Sequence, residues 1–352
     1  MIDRKYIQRL LRLSPFRKMK LYHLARFYSR QDKMKSVVKR FGGDYMKLKP
    51  LLKEAMVAYH WDFSEFFLFH YRDLNQEERM SFVPEYEKNV FCDNVNDYEA
   101  SKIFDSKWET YSRFRDFYHR QVLSVSDSNL LDNCELDCFV AKNSRFLIKP
   151  DSDACGRGIA LVEGGSTEER KKQISEIIRG HRQRSVIEEL IIQDDRMAVF
   201  HPESVNTVRV FSVRFDDRVE IFHPFLRIGR GVSVVDNAGA GGLICNIEKD
   251  SGLVIVAGDE RGNLFSVHPD THVPIVGFVI PRWDELIETV TKLAGVIPEV
   301  RYVGWDLALT KDGWVMIEGN DKGQFVFQIP SQTGFRRELK EICKELVGKE
   351  VV

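Results

Sequence analysis

Apolar and polar positions follow two different periods along this chain, and the change falls near residue 139. Residues 1–85 read as helical. Ile2, Tyr6, Leu10 and Leu13 recur at helix spacing, with Arg4, Lys5, Arg9 and Arg12 between them. Pro15 ends or redirects that helix, because it lacks an N–H and its ring crowds the preceding turn. Leu21, Leu24, Ala25 and Tyr28 mark a second helix, and Gly42-Gly43 a turn. The run DFSEFFLFHYRDLNQEERMSF is rich in aromatic residues and is expected to pack against later elements. Residues 100–122 read as a further helix.

Beyond 139 the pattern turns to strands. FVAKNSRFLIKP and IALVEG flank a glycine-bearing turn. STEERKKQISEIIRGHR opens on a capping signal, Ser166-Thr167 followed by Glu169 and Arg170, and continues as a helix. SVIEELI is a short apolar strand ending in carboxylates. SVNTVRVFSVRF and RVEIFHPFLRIG alternate around Asp216-Asp217, and GGLICNIEKDSGLVIVAG forms a pair around Asp250-Ser251-Gly252. WDELIETVTKLAGVIP is a helix between prolines, YVGWDLALTKDGWVMIEGN a hairpin, and RRELKEICKELVGK the last helix. Long antiparallel pairs mixed with helices predict an α+β fold rather than a doubly wound parallel sheet.

Composition narrows the class. The 352 residues (40.9 kDa) are 43% hydrophobic and 30% charged, as in globular proteins. No apolar run is long enough to cross a membrane, and the first residues lack the pattern of a secretory signal. Six cysteines are scattered, with only Cys134 and Cys138 close together, so reduced thiols and a cytoplasmic location are expected. The net charge of −1 conceals an asymmetry. Residues 1–53 hold 16 Lys/Arg against three Asp, a net of 16 − 3 = +13, and the rest hold 36 basic against 50 acidic residues, a net of −14.

The strongest chemical constellation is Asp306 with Glu318 and Asn320. Glu318 and Asn320 are two apart, so they project to one strand face, and the turn near Asp312 places Asp306 opposite them. Three oxygen-bearing side chains on one face suit Mg²⁺, which takes few protein oxygens and completes its shell with water and phosphate. A solvated hairpin face is the alternative. It is disfavoured by the apolar flanks Trp305, Leu307, Val315 and Ile317, since burying unpartnered carboxylates is costly.

Lys149 ends an apolar strand, and a turn bearing Gly156 and Gly158 follows it. Glycines let backbone N–H groups approach phosphate closely and the lysine adds a point charge, yet many plain hairpins carry Gly-x-Gly. The strand ending in Glu188-Glu189, with Leu190 and Ile191 after it, can offer backbone groups to adenine, and Asp194 or Asp195 can meet ribose hydroxyls. It also reads as an ordinary strand end. Arg209 shares a strand face with Thr207 and can clamp phosphate or pair with an acid. Arg227, Arg230, Asp236 and Asn237 fit a carboxylate and an amine, or equally a turn with surface ion pairs. His201, His223, His268 and His272 read as structural.

Taken together these motifs resemble the ATP-grasp superfamily, and within it the sugar-transfer-associated family. The residues that carry the resemblance are Asp105-Ser106-Lys107, the stretch Lys149 to Gly158, Asn206-Thr207-Val208-Arg209, Arg227-Ile-Gly and Val235-Asp236-Asn237 with Gly241-Gly242. His268-Pro269-Asp270-Thr271, Ile280-Pro281-Arg-Trp283, Gly304-Trp305-Asp306-Leu-Ala and Ile317-Glu318-Gly-Asn320 extend it, so that it runs from about residue 60 to 330. Ser106 is a departure, since many relatives place Asp before the lysine, and this weakens the role of Lys107 relative to Lys149.

The resemblance implies two α+β subdomains clasping ATP, preceded by a basic helical region. The expected segments are 1–95, 96–185 with the lysines and glycine loop, and 186–352 with the metal site. It implies that Lys107, Lys149, Arg209 and the loop with Gly156 and Gly158 contact phosphates. Glu188, Glu189, Ile191 and Asp195 would hold the nucleoside, and Asp306, Glu318 and Asn320 would bind two Mg²⁺. The implied activity is a ligase that forms carbon–nitrogen bonds through an acyl phosphate, with Lys149, Arg209 and Arg227 in catalytic positions. Its expected partners are a carboxylate-bearing sugar or glycan, such as a uronic acid, and an amine or amino acid, in capsule or other surface-polysaccharide biosynthesis. A kinase using the same ATP half, and a non-catalytic nucleotide-binding scaffold, are the competing readings. Residues 1–53 either meet the inner face of a membrane or pack on the acidic remainder, and no nucleic-acid motif accompanies their charge.

Overall fold

The computed structural model describes residues 15–126, 134–152, 157–181, 183–231 and 241–351. The expected helix through Ile2, Tyr6, Leu10 and Leu13 lies outside them. The chain forms two compact units. One comprises Met1–Phe91, Glu260–Asn263 and Gln324–Val352, and the other Cys92–Asp259 and Leu264–Gly323.

The first unit is helical. Helix Pro15–Ser29 begins at the proline, whose missing N–H costs nothing in a first turn. Helix Tyr45–Ala58 is capped by Asp44, whose carboxylate accepts from the N–H groups of Met46 (2.9 Å) and Lys47 (3.3 Å). The aromatic-rich run packs edge to face, with Trp61 5.3 Å from Phe69, 5.5 Å from Tyr71 and 5.6 Å from Phe82. The end of the chain joins this core. Gln328 bonds both the N–H and the C=O of Val83 at 2.9 Å, and Arg336, at the start of helix Arg336–Val347, bonds the Phe82 carbonyl at 2.8 Å. Helix Pro15–Ser29 forms where Leu21, Leu24, Ala25 and Tyr28 predict one. It buries His23 and Phe27, while Leu21, Ala25 and Tyr28 face outward.

The second unit holds two sheets in which every pairing is antiparallel. The smaller has the order β1-β4-β2-β3, with β1 Val122–Val125, β2 Arg145–Pro150, β3 Ala160–Glu163 and β4 Ser185–Glu189. Helices Cys134–Lys142 and Thr167–His181 bury Phe139, Ile174 and Ile178 with Phe146, Ile148 and Ile187. The Ser166–Glu169 capping box forms as expected, Ser166 N–H donating to Glu169 at 2.6 Å and Glu169 N–H to Ser166 Oγ at 3.3 Å. The larger sheet has the order β10-β9-β5-β6-β7-β8. Its strands are β5 Thr207–Arg214, β6 Val219–Ile228, β7 Leu243–Ile247, β8 Val254–Gly258, β9 Tyr302–Thr310 and β10 Gly313–Asn320. Helix Trp283–Val296 buries Leu286, Val290 and Leu293, at i, i+4 and i+7, in the core of this sheet.

Two elements differ from expectation. Residues 100–122 are not one helix. Ser106 adopts an extended conformation, ends a 3₁₀ turn at Asp105 and caps helix Lys107–Phe114 by accepting from Glu109 N–H at 3.1 Å. A second 3₁₀ turn and β1 then follow. Phe139–Lys142 is helical, because Leu136, Phe139 and Val140 form a buried face at helix spacing and strand-like composition yields to it.

His23 generates a stability prediction. The ring has no exposed surface, neither nitrogen has a hydrogen-bond partner, and it stacks on His60 at 4.5 Å. Tyr22 and Tyr86 meet it edge on, Arg26 adds repulsion, and His60 is itself bonded to Glu87 at 2.8 Å. Burial, then His60 and Arg26, lower its pKa from 6.5 to about 4. The neutral ring's contribution is complete above pH 6.5 and is lost as pH falls toward 4. Urea unfolding at pH 7 and 4.5 should show His23→Phe escaping about 2–3 kcal/mol of the acid destabilisation of the natural chain. An identical pH dependence in both proteins would refute this.

Candidate functional site

One row of side chains crosses three strands of the larger sheet. Glu318 on β10 is the register partner of Asp306 on β9, and Asp306 is the register partner of Arg209 on β5. Directly opposed antiparallel residues share a face, so the row is set by backbone pairing. The turn alone would place Ile317 opposite Asp306. A β-bulge between Met316 and Glu318 shifts the register by one and brings Glu318 there instead. The backbone around the bulge is held from outside the hairpin. The Tyr118 hydroxyl donates to the Ile317 carbonyl at 3.3 Å, and Arg120 donates to the Met316 carbonyl at 2.7 Å.

Asp306 has no exposed surface, and two guanidinium groups hold it. Arg209 donates to both of its oxygens, and Arg227 Nη2 donates to Oδ2 at 2.9 Å. Thr207, the register partner of Arg227, fixes that arginine by accepting from Nε at 2.9 Å. Burial would raise the Asp306 pKa, but the two arginines outweigh it and hold the group well below the usual carboxylate range. Glu318 is different. Its side chain is 48% exposed, its carboxylate lies 3.7 Å from Arg209, and Asn320 Nδ2 donates to it at 3.3 Å. Surrounding protein and the Asp306 charge push its pKa up. Two carboxylates and a carboxamide are hard-oxygen donors of the kind Mg²⁺ takes, but only Glu318 and Asn320 have room for the ion here, since Arg209 and Arg227 occupy both Asp306 oxygens. Among the described residues no group of three or more His, Cys, Asp or Glu is placed to hold a metal ion, and this row supplies only two such residues with Asn320.

The second cluster belongs to the smaller sheet. Lys149 on β2 and Glu188 on β4 form an ion pair with both side chains mostly buried. Arg120 completes it, with Nη2 3.1 Å from Glu188 Oε2. Burial opposes ionisation of Glu188, yet Lys149 and Arg120 lower its pKa to about 2. Arg120 therefore bonds Glu188 in one sheet and the Met316 carbonyl in the other, tying the two clusters together. Sequence reading missed Arg120, because an arginine between a helix and a four-residue strand carries no local signal. It included Asp151 only as part of the loop after Lys149, without a role, and did not single out Arg184.

Those two residues place Lys107. The buried Asp151 carboxylate accepts from Ser106 Oγ (3.0 Å), Trp108 N–H (2.9 Å) and Arg184 Nε (2.9 Å). Its carbonyl accepts from Lys107 N–H at 3.1 Å, with Lys107 Nζ 3.4 Å away. Lys107 thus sits beside the segment that follows Lys149, and Ser106 serves as hydrogen-bond partner and cap. At the far end of that segment Gly158 has φ +71°, and a Cβ there would lie 2.6 Å from Pro150. Its carbonyl accepts from His181 Nε2 at 2.8 Å. Only glycine satisfies both the dihedral and the contact.

The remaining expected residues are more dispersed. Glu189 accepts from Gln121 N–H (2.8 Å) and Lys142 (3.1 Å), and β4 ends there, before Leu190 and the half-buried Ile191. Asp195 is exposed at the start of the short helix Asp195–Ala198. Arg230 lies over the Phe265 ring at 5.3 Å rather than with Arg227 on Asp306. Gly156, Asp236 and Asn237 lie outside the described residues. His268 is buried and structural, bonding the Gly229 carbonyl at 3.0 Å and accepting from Thr271 N–H at 3.2 Å.

The family description "Sugar-transfer associated ATP-grasp" matches residues 86–344, and this chain belongs to that family. Its fold is accordingly the ATP-grasp α+β fold. Among solved structures, phosphoribosylamine–glycine ligase from Thermotoga maritima is 13% identical, with 74% of this chain and 58% of that chain covered and a TM-score of 0.46. D-alanyl-alanine synthetase A from Vibrio cholerae is 11% identical, with 72% and 68% covered and a TM-score of 0.43. An N5-carboxyaminoimidazole ribonucleotide synthetase in complex with ADP is 9% identical, with 64% and 46% covered and a TM-score of 0.41. The chain thus spans less than half of that last protein. No curated protein matches the sequence.

The geometry separates two acidic residues that the sequence treats alike. Asp306→Asn leaves two buried guanidinium groups short of a charge and should cost roughly 3–5 kcal/mol of stability. Glu318→Gln, at a half-exposed position, should stay within about 0.5 kcal/mol of the natural chain. Denaturant unfolding of both variants checks this, and equal losses would contradict the assignment of Asp306 as the buried anchor.

Proposed function

We propose that this chain is an ATP-dependent carboxylate–amine ligase that forms an amide through an acyl phosphate. In this reading it joins an amine or amino acid to a uronic-acid sugar during capsule or other surface-polysaccharide biosynthesis, in the cytoplasm near the inner face of the membrane. Membership of the sugar-transfer-associated ATP-grasp family supports the nucleotide chemistry and the sugar context. The single observation that carries the reading is the row Glu318–Asp306–Arg209, which sets oxygen donors and a fixed cation on one sheet face.

This reading divides the roles among the residues already described. Glu318, Asn320 and Asp306 would hold Mg²⁺, which when bound neutralises phosphate charge. Lys149 and Lys107 contact phosphates, and the segment ending at Gly158 covers them and excludes water. The backbone at Leu190 and Ile191 takes adenine, with Glu189 and Asp195 beside the nucleoside. Arg209 and Arg227 steady charge as it develops on the transferred group. A substrate carboxylate oxygen attacks the γ-phosphorus, the bond to the β–γ bridging oxygen breaks, and ADP leaves. The amine nitrogen then attacks the acyl carbon, phosphate departs with its bonding pair, and the nitrogen loses a proton.

Incubation with MgATP and pools of uronic-acid sugars and amino acids, with mass detection, tests the reading. Amine-dependent release of ADP and phosphate with an amide product is expected; a stable phosphorylated product would show a kinase instead. Glu318→Gln should abolish turnover. Lys149→Ala should lower it about 10²–10³-fold, the usual effect of losing one preorganised electrostatic contact. Near-normal rates in either variant at saturating Mg²⁺ would overturn these roles.

A further inference from the structure

Helix Pro15–Ser29 turns outward the very stripe that its sequence marks as apolar. Leu21, Ala25 and Tyr28 lie at i, i+4 and i+7 on one face, and Leu21 is 39% and Tyr28 56% exposed in the full chain. Tyr22, beside them, is 52% exposed, and Met46, at the start of helix Tyr45–Ala58, is 73% exposed. The two helices meet at this surface, since Lys53 lies 3.2 Å from the Tyr28 hydroxyl and 5.4 Å over its ring. Lys49, one turn away, lies 5.7 Å over the Tyr45 ring.

Charge surrounds this apolar strip. Residues 17–53 hold 12 Lys/Arg against Asp32 and Asp44, a net of 12 − 2 = +10; of these basic residues, Arg26 and Lys33 pair with Asp62 and Arg40 with Glu260. The two acids of the segment are engaged locally, Asp32 with Lys35 at 3.3 Å and Asp44 as the cap of its own helix. Among the described residues, Lys49 and Lys53 meet tyrosine rings rather than carboxylates. An acidic protein surface or a nucleic acid would be served by the lysines alone and would gain little from exposed Leu21, Met46 and Tyr28. A strip of aliphatic and tyrosine side chains rimmed by lysines matches the boundary between acyl chains and anionic headgroups, where tyrosine settles and lysine reaches outward.

We infer that the face formed by Leu21, Ala25, Tyr28, Met46, Lys49 and Lys53 docks on an anionic phospholipid surface. This names a surface and a partner that the ligase reading does not require, and it stands or falls without any assay of turnover.

The test is co-sedimentation of the full chain with vesicles of equal parts phosphatidylglycerol and phosphatidylcholine, against pure phosphatidylcholine. Binding to the anionic vesicles is expected at about 0.05 M salt, with a loss of at least roughly tenfold at about 0.5 M, where the Debye length is short. Each lysine near such a surface contributes about fivefold, so Lys49→Gln with Lys53→Gln should weaken binding roughly 25-fold. Leu21→Glu with Tyr28→Glu should abolish it, with unfolding curves of both double variants matching the natural chain. Three results would overturn the inference: intact protein left in the supernatant with anionic vesicles at low salt, unchanged binding by both double variants, or tighter binding to duplex DNA that ignores Leu21→Glu with Tyr28→Glu.

Discussion

A carboxylate with no exposed surface is tolerated only where opposite charge is fixed beside it, and Asp306 imposes that condition on the centre of the larger sheet. Arg209 satisfies it because the β5–β9 register places the two residues opposite each other. Arg227 satisfies it from β6, oriented by Thr207. The bulge at Ile317 then adds Glu318 on the other side, half-exposed and able to accept a further cation. Glu188 repeats the arrangement in the smaller sheet, between Lys149 and Arg120. Asp306 and Glu188 stay ionised in spite of burial because the cations beside them outweigh it. Arg120 links the two clusters through the Met316 carbonyl, so the geometry of each depends on the other.

Much of this was legible in the sequence. The hairpin through Lys311-Asp312-Gly313 announces itself by alternation and turn chemistry, and with it the approach of Asp306 to Glu318. Lys149 at the end of an apolar strand, and the cap at Ser166 and Glu169, are local signals that survive folding because they act within a few residues. What was not legible depends on register between distant strands. Neither the one-residue shift at Ile317 nor the bond from Arg120 to Glu188, 68 positions away, has a counterpart in local pattern. The helical reading of residues 100–122 failed for a related reason. Ser106 leaves the helix to bond Asp151, a partner 45 residues on.

Helix Pro15–Ser29 was legible as a helix, but not its buried side. Its spacing of Leu21, Leu24, Ala25 and Tyr28 was read correctly as a stripe, but a stripe does not say which side is the core. The fold chooses His23 and Phe27, placing His23 against His60 and Tyr86 and Phe27 against Phe63. Turning a histidine inward with both nitrogens unbonded costs stability.

In the proposed function, Glu318, Asp306 and Asn320 hold a metal that works together with bound nucleotide. Mn²⁺ can report on it through electron paramagnetic resonance, in place of Mg²⁺ and without any substrate. Mn²⁺ is expected to bind the natural chain more tightly when ADP or a non-hydrolysable ATP analogue is present. Glu318→Gln is expected to lose most of that nucleotide-dependent signal while keeping its unfolding curve. The same Mn²⁺ spectrum and affinity in Glu318→Gln as in the natural chain, with nucleotide present, would contradict this reading.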